Sequence, residues 1–252
     1  MMNGEFTILA IETSTSLMGA AVTVGEEVLS EGFVDKPKVH SYRLLPMCDR
    51  VLSEAKVSPS QLVAVAVSVG PGSFTGLRIG CATAQGLSHA WGKRVVPVPT
   101  FSVLVEQAIR ENRERDHEFH VAAVQGRAKA QTVTALYSRE GVQVIPPEGR
   151  SLERFALQVA SAVSTPIIVV GDAAQLFAEH VAGADTGSLR DMEVSAVSEP
   201  ARLPLPGMVG RLAARMMREG LSVEPKAAIP LYYRKHQAEV LLSQKKNEGR
   251  AE

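Results

Sequence analysis

The segment Pro71–Gly80, PGSFTGLRIG, joins a mostly apolar run to a long helical pattern and decides how the chain is organised. The run before it, Leu62–Val69, is rich in β-branched residues and predicts a central strand buried on both faces. The pattern after it predicts a helix over Ser73–Trp91. A buried strand, a glycine-rich turn and a helix in this order indicate an α/β fold.

The turn between strand and helix permits two interpretations. Such a junction presents free backbone N–H groups and the positive end of a helix to an anion, so Ser73 is a candidate phosphate contact. The turn lacks the Gly-Lys-Ser/Thr ending of a nucleotide P-loop and the three-glycine spacing of a dinucleotide site. A purely structural turn, with Ser73 as the helix N-cap, is the other interpretation.

Small residues recur along the predicted helix in two adjacent stripes: Gly76, Gly80, Ala84 and Ser88, then Ala82, Gly86 and Ala90. Glycine inside a helix costs about 1 kcal/mol relative to alanine. The glycines therefore indicate that another element approaches the helix backbone closely. That element is either part of the same chain or a helix of a partner subunit.

The predicted elements on either side of this segment follow the order of a ribonuclease-H-like unit. Three strands, a helix, a strand, a helix, a strand and a helix are predicted in turn: Phe6–Ile11, Met18–Val24, Val28–Val34, Ser41–Ala55, Leu62–Val69, Ser73–Trp91, Val95–Val98 and Phe101–Arg113. Pro46 inside the first helix predicts a kink or a later start, because proline removes a backbone hydrogen bond. Actin-type folds are built on this unit.

The second half of the chain repeats the order from Phe119 onward, which predicts a duplicated fold of two lobes, each a mixed sheet with flanking helices. Its predicted elements are strands at Phe119–Gln125, Ala130–Tyr137, Val142–Ile145 and Ile167–Val170 and helices at Leu152–Val163 and Met208–Glu219. The stretch 184–206 shows no clear period, so the second lobe looks abridged. The predicted boundaries are residues 1–109 for the first lobe, 119–242 for the second and 243–252 for a flexible tail.

Composition excludes several classes of function. The 252 residues carry 27 basic and 27 acidic side chains, so net charge draws the chain neither to nucleic acid nor to an anionic membrane. Cys48 and Cys81 form no Cys-x-x-Cys pair and no disulfide framework, which fits a reducing cytosol. No signal peptide and no membrane helix are predicted, and the expected location is the cytoplasm.

Catalytic chemistry finds little support in the sequence. The six histidines include no metal-binding spacing, and we predict neither a catalytic residue nor a metal ligand. The loop after the first strand, Ile11–Ser16, lies where actin-fold phosphotransferases place an acidic residue and a glycine turn around phosphates. The weak candidates for nucleotide contact are therefore Glu12, Thr13, Ser14 and Ser73. An ordinary Ser/Thr turn is the alternative, since this loop has no glycine.

Four segments together resemble the TsaB (YeaZ) family, the dimerisation subunit of tRNA threonylcarbamoyladenosine biosynthesis. They are ILAIETS at Ile8–Ser14, HSYRLLP at His40–Pro46, PGSFTGLRIG at Pro71–Gly80 with AQGL at Ala84–Leu87, and PLYYR at Pro230–Arg234. The resemblance implies a non-catalytic actin-fold subunit that pairs with the catalytic subunit TsaD, with TsaE joining the pair. It implies a homodimer in isolation, and contact with tRNA only within the complex.

The resemblance also implies where partners bind. Its interface lies on the first two helices, with the candidate residues His40, Arg43, Leu44, Met47, Val51, Gly76, Gly80 and Ala84. ATP or ADP and a metal enter through the partner subunits, and no cofactor is assigned to this chain by itself. Two departures stand out: Glu12 replaces the usual aspartate, and Gln125-Gly126-Arg127 replaces Asp-Ala-Arg at the opening of the second lobe.

Two other functions remain open at this point. The first is an autonomous enzyme, either an actin-superfamily phosphotransferase or a glycopeptidase-like protein. The second is a tRNA-binding module that uses a local basic patch, for which the candidates are Arg110, Arg113, Arg115, Lys129 and Arg139. Neutral net charge disfavours the second, because phosphate contacts need clustered cations.

Overall fold

The computed structural model describes residues 5–36, 40–126, 132–184, 192–196 and 202–233, without the side chains of residues 40 and 41. The predicted tail at 243–252, as well as Arg127 and Lys129, therefore lies outside the described residues. Within them, no helix is both long enough and apolar enough to cross a membrane.

The first half of the described chain forms a five-stranded sheet in the order β3-β2-β1-β4-β5. Its strands are β1 (Thr7–Glu12), β2 (Leu17–Val24), β3 (Glu27–Asp35), β4 (Ala64–Gly70) and β5 (Arg94–Pro99). The first three strands pair antiparallel, whereas β4 pairs parallel with both β1 and β5. The predicted central strand is confirmed, because every residue of β4 is buried.

The second half repeats this topology in the order β10-β9-β6-β7-β8. Its strands are β6 (His120–Gln125), β7 (Thr132–Ser138), β8 (Gln143–Arg150), β9 (Ile167–Val170) and β10 (Val194–Ala196). Here β6, β7 and β8 pair antiparallel, and β9 pairs parallel with β6 and β10. The predicted duplicated, actin-like fold is confirmed. In the described residues, the second sheet has as many strands as the first, and its β9 and β10 are short, with 4 and 3 residues.

Six α-helices flank the sheets in the described residues: α1 (His40–Ala55), α2 (Phe74–Trp91), α3 (Thr100–Glu111), α4 (Leu152–Ala162), α5 (Ala174–Ala182) and α6 (Pro206–Arg218). Short 3₁₀ turns lie at Pro59–Gln61 and Pro225–Ala227. The sequence patterns missed α5 and β10. The expectation that Pro46 delays the start of α1 is wrong, since the helix already begins at His40 and includes the proline.

The helices and sheets alternate in layers. Helices α1 and α2 cover one face of the first sheet, with Cys48, Val51, Cys81 and Ala84 in a shared apolar cluster. Helices α3 and α6 lie on the opposite face. Helix α3 also packs on the second sheet, whose outer face is covered by α4 and α5. Helix α3 therefore joins the two sheets, and we call α3 and α6 the middle layer.

Helix α6 follows the second sheet in the chain but packs on the first sheet. Its Met208, Val209 and Ala213 join the apolar cluster that contains Ile8 and Ala21. By sequence position α6 belongs to the second lobe, whereas by packing it belongs to the first lobe. The lobe boundaries at residues 109, 119 and 242 therefore stay predictions.

Ion pairs connect α3 and α6 to each other and to the β2–β3 turn. Arg110 on α3 lies 2.5 Å from a Glu26 carboxylate oxygen and 2.6 Å from Glu106. Arg215 on α6 lies 2.8 Å from the same Glu106 oxygen. The Arg110 hydrogen bond lowers the pKa of Glu26, so this carboxylate stays ionised at neutral pH.

The core of the second lobe offers a stability test with a matched control. Phe177→Ala should lower the free energy of unfolding by about 3–5 kcal/mol, since the ring is fully buried and packs 5.3 Å from the Phe155 ring. Phe33→Ala, the same change at a ring that is 41% exposed, should cost much less. Urea unfolding of both variants measures the difference, and equal losses would contradict the packing described here.

Candidate functional site

The loop between β1 and β2 holds a buried carboxyl group. The Glu12 side chain has no exposed surface, and Thr13 and Ser14 are buried with it. The Ser14 N–H donates to Glu12 Oε1 at 2.5 Å, and the Ser68 hydroxyl donates to Glu12 Oε2. Glu12 therefore faces the interior of the first lobe.

Burial changes the ionisation of Glu12. Removal from water disfavours the carboxylate and raises the pKa of Glu12 from 4.5 to about 7, against the opposing effect of hydrogen bonds from Ser14 and Ser68. A carboxyl group with this pKa is partly protonated at neutral pH. The first-lobe sheet thus contains a titratable group in its core.

The glycines of α2 make room for this loop. A β-carbon at Gly76 would overlap the Thr13 carbonyl oxygen, and one at Gly80 would overlap Thr13 Oγ1. The Ser73 N–H also donates to the Ser14 carbonyl oxygen at 2.7 Å. The approaching element is therefore part of the same chain, which is one of the two possibilities that the sequence left open.

The residues proposed from the sequence for nucleotide contact are placed unequally. Glu12, Thr13 and Ser14 are buried, whereas Ser73 is exposed. The Ser73 hydroxyl accepts a hydrogen bond from the Gly76 N–H at 3.3 Å, which confirms the N-cap. Nucleotide contact at these four residues stays a prediction.

Most of the predicted interface residues are buried, and their role in partner binding stays a prediction. On α1 and α2, six of them are buried in the first lobe: Leu44, Met47, Val51, Gly76, Gly80 and Ala84. Arg43 is exposed, and the side chain of His40 lies outside the described residues. The residues that helical spacing selects on α1 and α2 therefore lie mainly on the core-facing sides of these helices.

The outward face of the same two helices is partly apolar and open. On α1, Tyr42 is 61% exposed and Leu45 is 53% exposed. On α2, Ala82 and Gly86 are exposed, and no atom lies within 4 Å of the position that a Gly86 β-carbon would take. Among the described residues, no side chain fills the space beside Gly86 in this second small stripe.

Three side chains meet at the start of this outward face. The Arg78 guanidinium carbon lies 3.8 Å from the centre of the Phe74 ring, and Arg78 Nε donates to the Tyr232 hydroxyl at 3.1 Å. The Phe74 and Tyr232 rings are 5.2 Å apart. Tyr232 belongs to the PLYYR motif, but no residue spacing in the sequence predicts its contact with α2.

The segment that carries Tyr232 is held along the first lobe. The Leu231 N–H donates to the Val69 carbonyl oxygen at 2.7 Å, and Gln85 Nε2 donates to the Ala228 carbonyl oxygen at 2.8 Å. Further back, Val223 and Val95 exchange two backbone hydrogen bonds. We call residues 222–233 the C-terminal strap.

The candidate basic patch and the opening of the second lobe are both partly described by the structure. In the candidate basic patch, Arg110 pairs with two carboxylates, whereas Arg139 keeps its charge and donates to the carbonyl oxygens of His117 and Arg113. At the opening of the second lobe, the Gly126 N–H donates to Asp172 Oδ1 at 2.7 Å. No group of three His, Cys, Asp or Glu side chains in the described ranges is arranged to hold a metal ion.

Comparisons with known proteins agree with one another. The family model described as "TsaD: tRNA N6-adenosine threonylcarbamoyltransferase" matches residues 35–241. The "tRNA threonylcarbamoyladenosine biosynthesis protein TsaB" of Escherichia coli is 29% identical over 241 residues, which are 92% of this chain and 96% of that protein. The TsaB protein of Bacillus subtilis is 29% identical over 168 residues, 66% of this chain and 70% of its own.

Solved structures show the same similarity. YeaZ from Pseudomonas aeruginosa has a TM-score of 0.71 at 27% identity, with 90% of this chain and 99% of that chain covered. A second Pseudomonas aeruginosa structure, of an uncharacterized protein with similarity to peptidase YEAZ, has a TM-score of 0.72 at 28% identity. It covers 91% of this chain and 100% of that chain.

Two glycines of α2 should respond oppositely to the same substitution. Gly76→Ala should destabilise the fold by about 1–3 kcal/mol, because the new methyl group overlaps a backbone carbonyl that cannot rotate away. Gly86→Ala should stabilise it by up to about 1 kcal/mol, since the site is open and alanine favours a helix. Thermal and urea unfolding compare the two, and a shift of the same sign would contradict this assignment of the faces.

Glu12 should make stability depend on pH in a defined window. A raised folded-state pKa means that the native state holds a proton that the unfolded state releases, so its contribution is complete below about 4.5 and is lost as the pH rises through about 7. The size expected is about 3 kcal/mol. Glu12→Gln should flatten the free energy of unfolding over this window, and an unchanged pH profile would show that Glu12 ionises normally.

Proposed function

Because the chain belongs to the TsaB (YeaZ) family, we propose that it is a non-catalytic subunit that pairs with the catalytic subunit TsaD and activates it. The chain takes part in tRNA threonylcarbamoyladenosine biosynthesis, the process in the names of its relatives. The proposed complex, completed by TsaE, transfers a threonylcarbamoyl group to the adenosine adjacent to the tRNA anticodon. It works in the cytoplasm, and this subunit meets tRNA only within the complex.

The open outward face of α1 and α2 is the observation that carries the pairing. Tyr42 and Leu45 offer exposed apolar surface on α1, and Ala82 and Gly86 offer a bare helix backbone on α2. Small residues let two helices approach closely, so each gains contacts along its length. The proposed interface therefore uses the helices named from the sequence, but on the side opposite to the residues first selected.

The buried β1–β2 loop supports a non-catalytic role. A phosphotransferase of the actin superfamily needs an acidic side chain that faces the phosphates and their metal. Glu12 instead lies in the core, bonded to Ser14 and Ser68. Calorimetric titration of the isolated chain with Mg-ATP examines this point, and binding with turnover would revive the autonomous enzyme.

The second lobe supports the pairing less well than the first lobe, although Val142, Val144 and Leu157 are exposed there. Its departure from the family pattern begins at Gln125, and Arg127 and the four residues after it lie outside the described residues. The proposal therefore assigns the partner to the first lobe. In the absence of TsaD, a second copy of the chain uses the same face, which gives the homodimer.

A bulky residue on the open stripe should separate binding from folding. Gly86→Leu should weaken the complex with TsaD by about ten-fold or more, because overpacking a helix contact costs about 1–3 kcal/mol. The free chain should keep its melting temperature, since leucine favours a helix and the site is open.

Ala162→Leu, at an exposed position on α4 in the other lobe, is the matched control and should bind TsaD normally. Isothermal titration and co-purification with TsaD measure both variants. Undiminished binding by the Gly86→Leu variant would place the interface elsewhere. Reconstitution with TsaD, TsaE and the adenylate donor then reports whether this chain activates tRNA modification.

A further inference from the structure

Arg78 is held in one orientation at an exposed position. Its guanidinium stacks 3.8 Å from the Phe74 ring centre, while its Nε donates to the Tyr232 hydroxyl at 3.1 Å. An arginine side chain carries about 2 kcal/mol of rotamer entropy, which is normally retained at a surface. Two contacts from two distant segments remove part of that freedom and leave the Nη1 and Nη2 amino groups for other acceptors.

Arg78 differs from the arginines of the described chain that pair with a carboxylate. Several described arginines lie within 4 Å of a carboxylate: Arg50, Arg94, Arg110, Arg150 and Arg215. No carboxylate among the described residues lies within that distance of Arg78. Within the described part of the chain, this cation is therefore oriented but not neutralised.

The position of Arg78 on α2 connects it to the open stripe. Arg78, Ala82 and Gly86 follow one another at four-residue spacing and are all exposed. Residues spaced in this way share one helix face, and eight residues span about 12 Å along the axis. A helix that packs across Gly86 and Ala82 therefore has Arg78 within one or two turns of the crossing point.

We propose that Arg78 determines partner specificity by binding a carboxylate, an Asp or Glu side chain on the helix of TsaD that docks on the α2 face. This inference rests on the proposed function and names the chemistry of its contact. The planar guanidinium donates through Nη1 and Nη2 to the two carboxylate oxygens, which is the geometry of strong charge-assisted pairs. Tyr232 is a positioning residue, because it engages Nε and turns the Nη edge outward.

The surroundings favour a protein carboxylate over a phosphate of nucleic acid. The groups that hold Arg78 are two aromatic rings, and Leu231 next to Tyr232 is 40% exposed. Nucleic-acid backbones are bound by several cations close together, whereas Arg78 is the one cation among the described residues of this cluster. An apolar rim around a single oriented cation is typical of a protein interface with an arginine anchor.

The first measurement is the affinity for TsaD at low and at high salt. Arg78→Gln should weaken binding about ten-fold or more and reduce its salt dependence, because a charge-assisted hydrogen bond at an interface is lost. Arg154→Gln, the same change at an exposed arginine on α4, should alter neither quantity. Melting temperatures of the free variants separate a binding effect from a folding effect.

Tyr232→Phe tests the positioning role and keeps the aromatic ring. It should weaken TsaD binding about two- to five-fold in the natural chain and have no effect when Arg78→Gln is also present, since the hydroxyl acts through the guanidinium. A charge swap identifies the acceptor: Arg78→Glu should abolish binding, and one Asp→Arg or Glu→Arg change on the docking helix of TsaD should restore it.

The outcomes distinguish this inference from the proposed function. If the natural chain does not bind TsaD, the proposed function itself is wrong. If it binds and Arg78→Gln binds equally well, only the role of Arg78 is wrong. Loss of tRNA or nucleotide binding at unchanged TsaD affinity would identify the acceptor as a phosphate and overturn the inference. A change confined to self-association would assign the contact to a second copy of the chain and overturn it as well.

Discussion

The contact between the β1–β2 loop and the glycine face of α2 determines how α2 packs in the first lobe. The Thr13 carbonyl oxygen occupies the space that a side chain at Gly76 would need, and the Ser14 carbonyl accepts from the Ser73 N–H. This approach determines which side of α2 faces the loop. Because one side of the helix is committed to the loop, the stripe with Ala82 and Gly86 must face outward.

The middle layer and the C-terminal strap extend this constraint to the rest of the chain. Helix α3 packs on both sheets, and α6 returns from the second half to cover the first sheet. The strap then runs along β5 and α2 and places Tyr232 beside Arg78. The proposed partner surface is thus assembled from residues near both ends of the sequence, although its apolar part lies on α1 and α2.

Helix α2 shows how far pattern analysis reaches. Glycine and alanine at four-residue spacing correctly indicated close approach to the helix backbone, and the sequence contained both small stripes. Spacing assigns residues to faces but does not say which face meets the core, since both stripes are small and apolar. The same limit explains why Leu44, Met47 and Val51 of α1 were expected at an interface and lie in the core. Helix α5 and strand β10 were not predicted for a different reason. Both are short, so few residues show a helical or strand period.

The sequence by itself determined the order of most strands and helices, the duplicated fold and the family, and it offered Ser73 as a helix cap. These follow from hydrophobic periodicity, backbone hydrogen bonding and turn chemistry, which act over a few residues and leave local patterns. Only the tertiary structure decided that Gly76 receives Thr13, that Glu12 is buried, and that Arg78 meets Tyr232 across 154 positions. Such contacts depend on how whole elements pack, and packing of one element against another leaves no fixed spacing in the sequence.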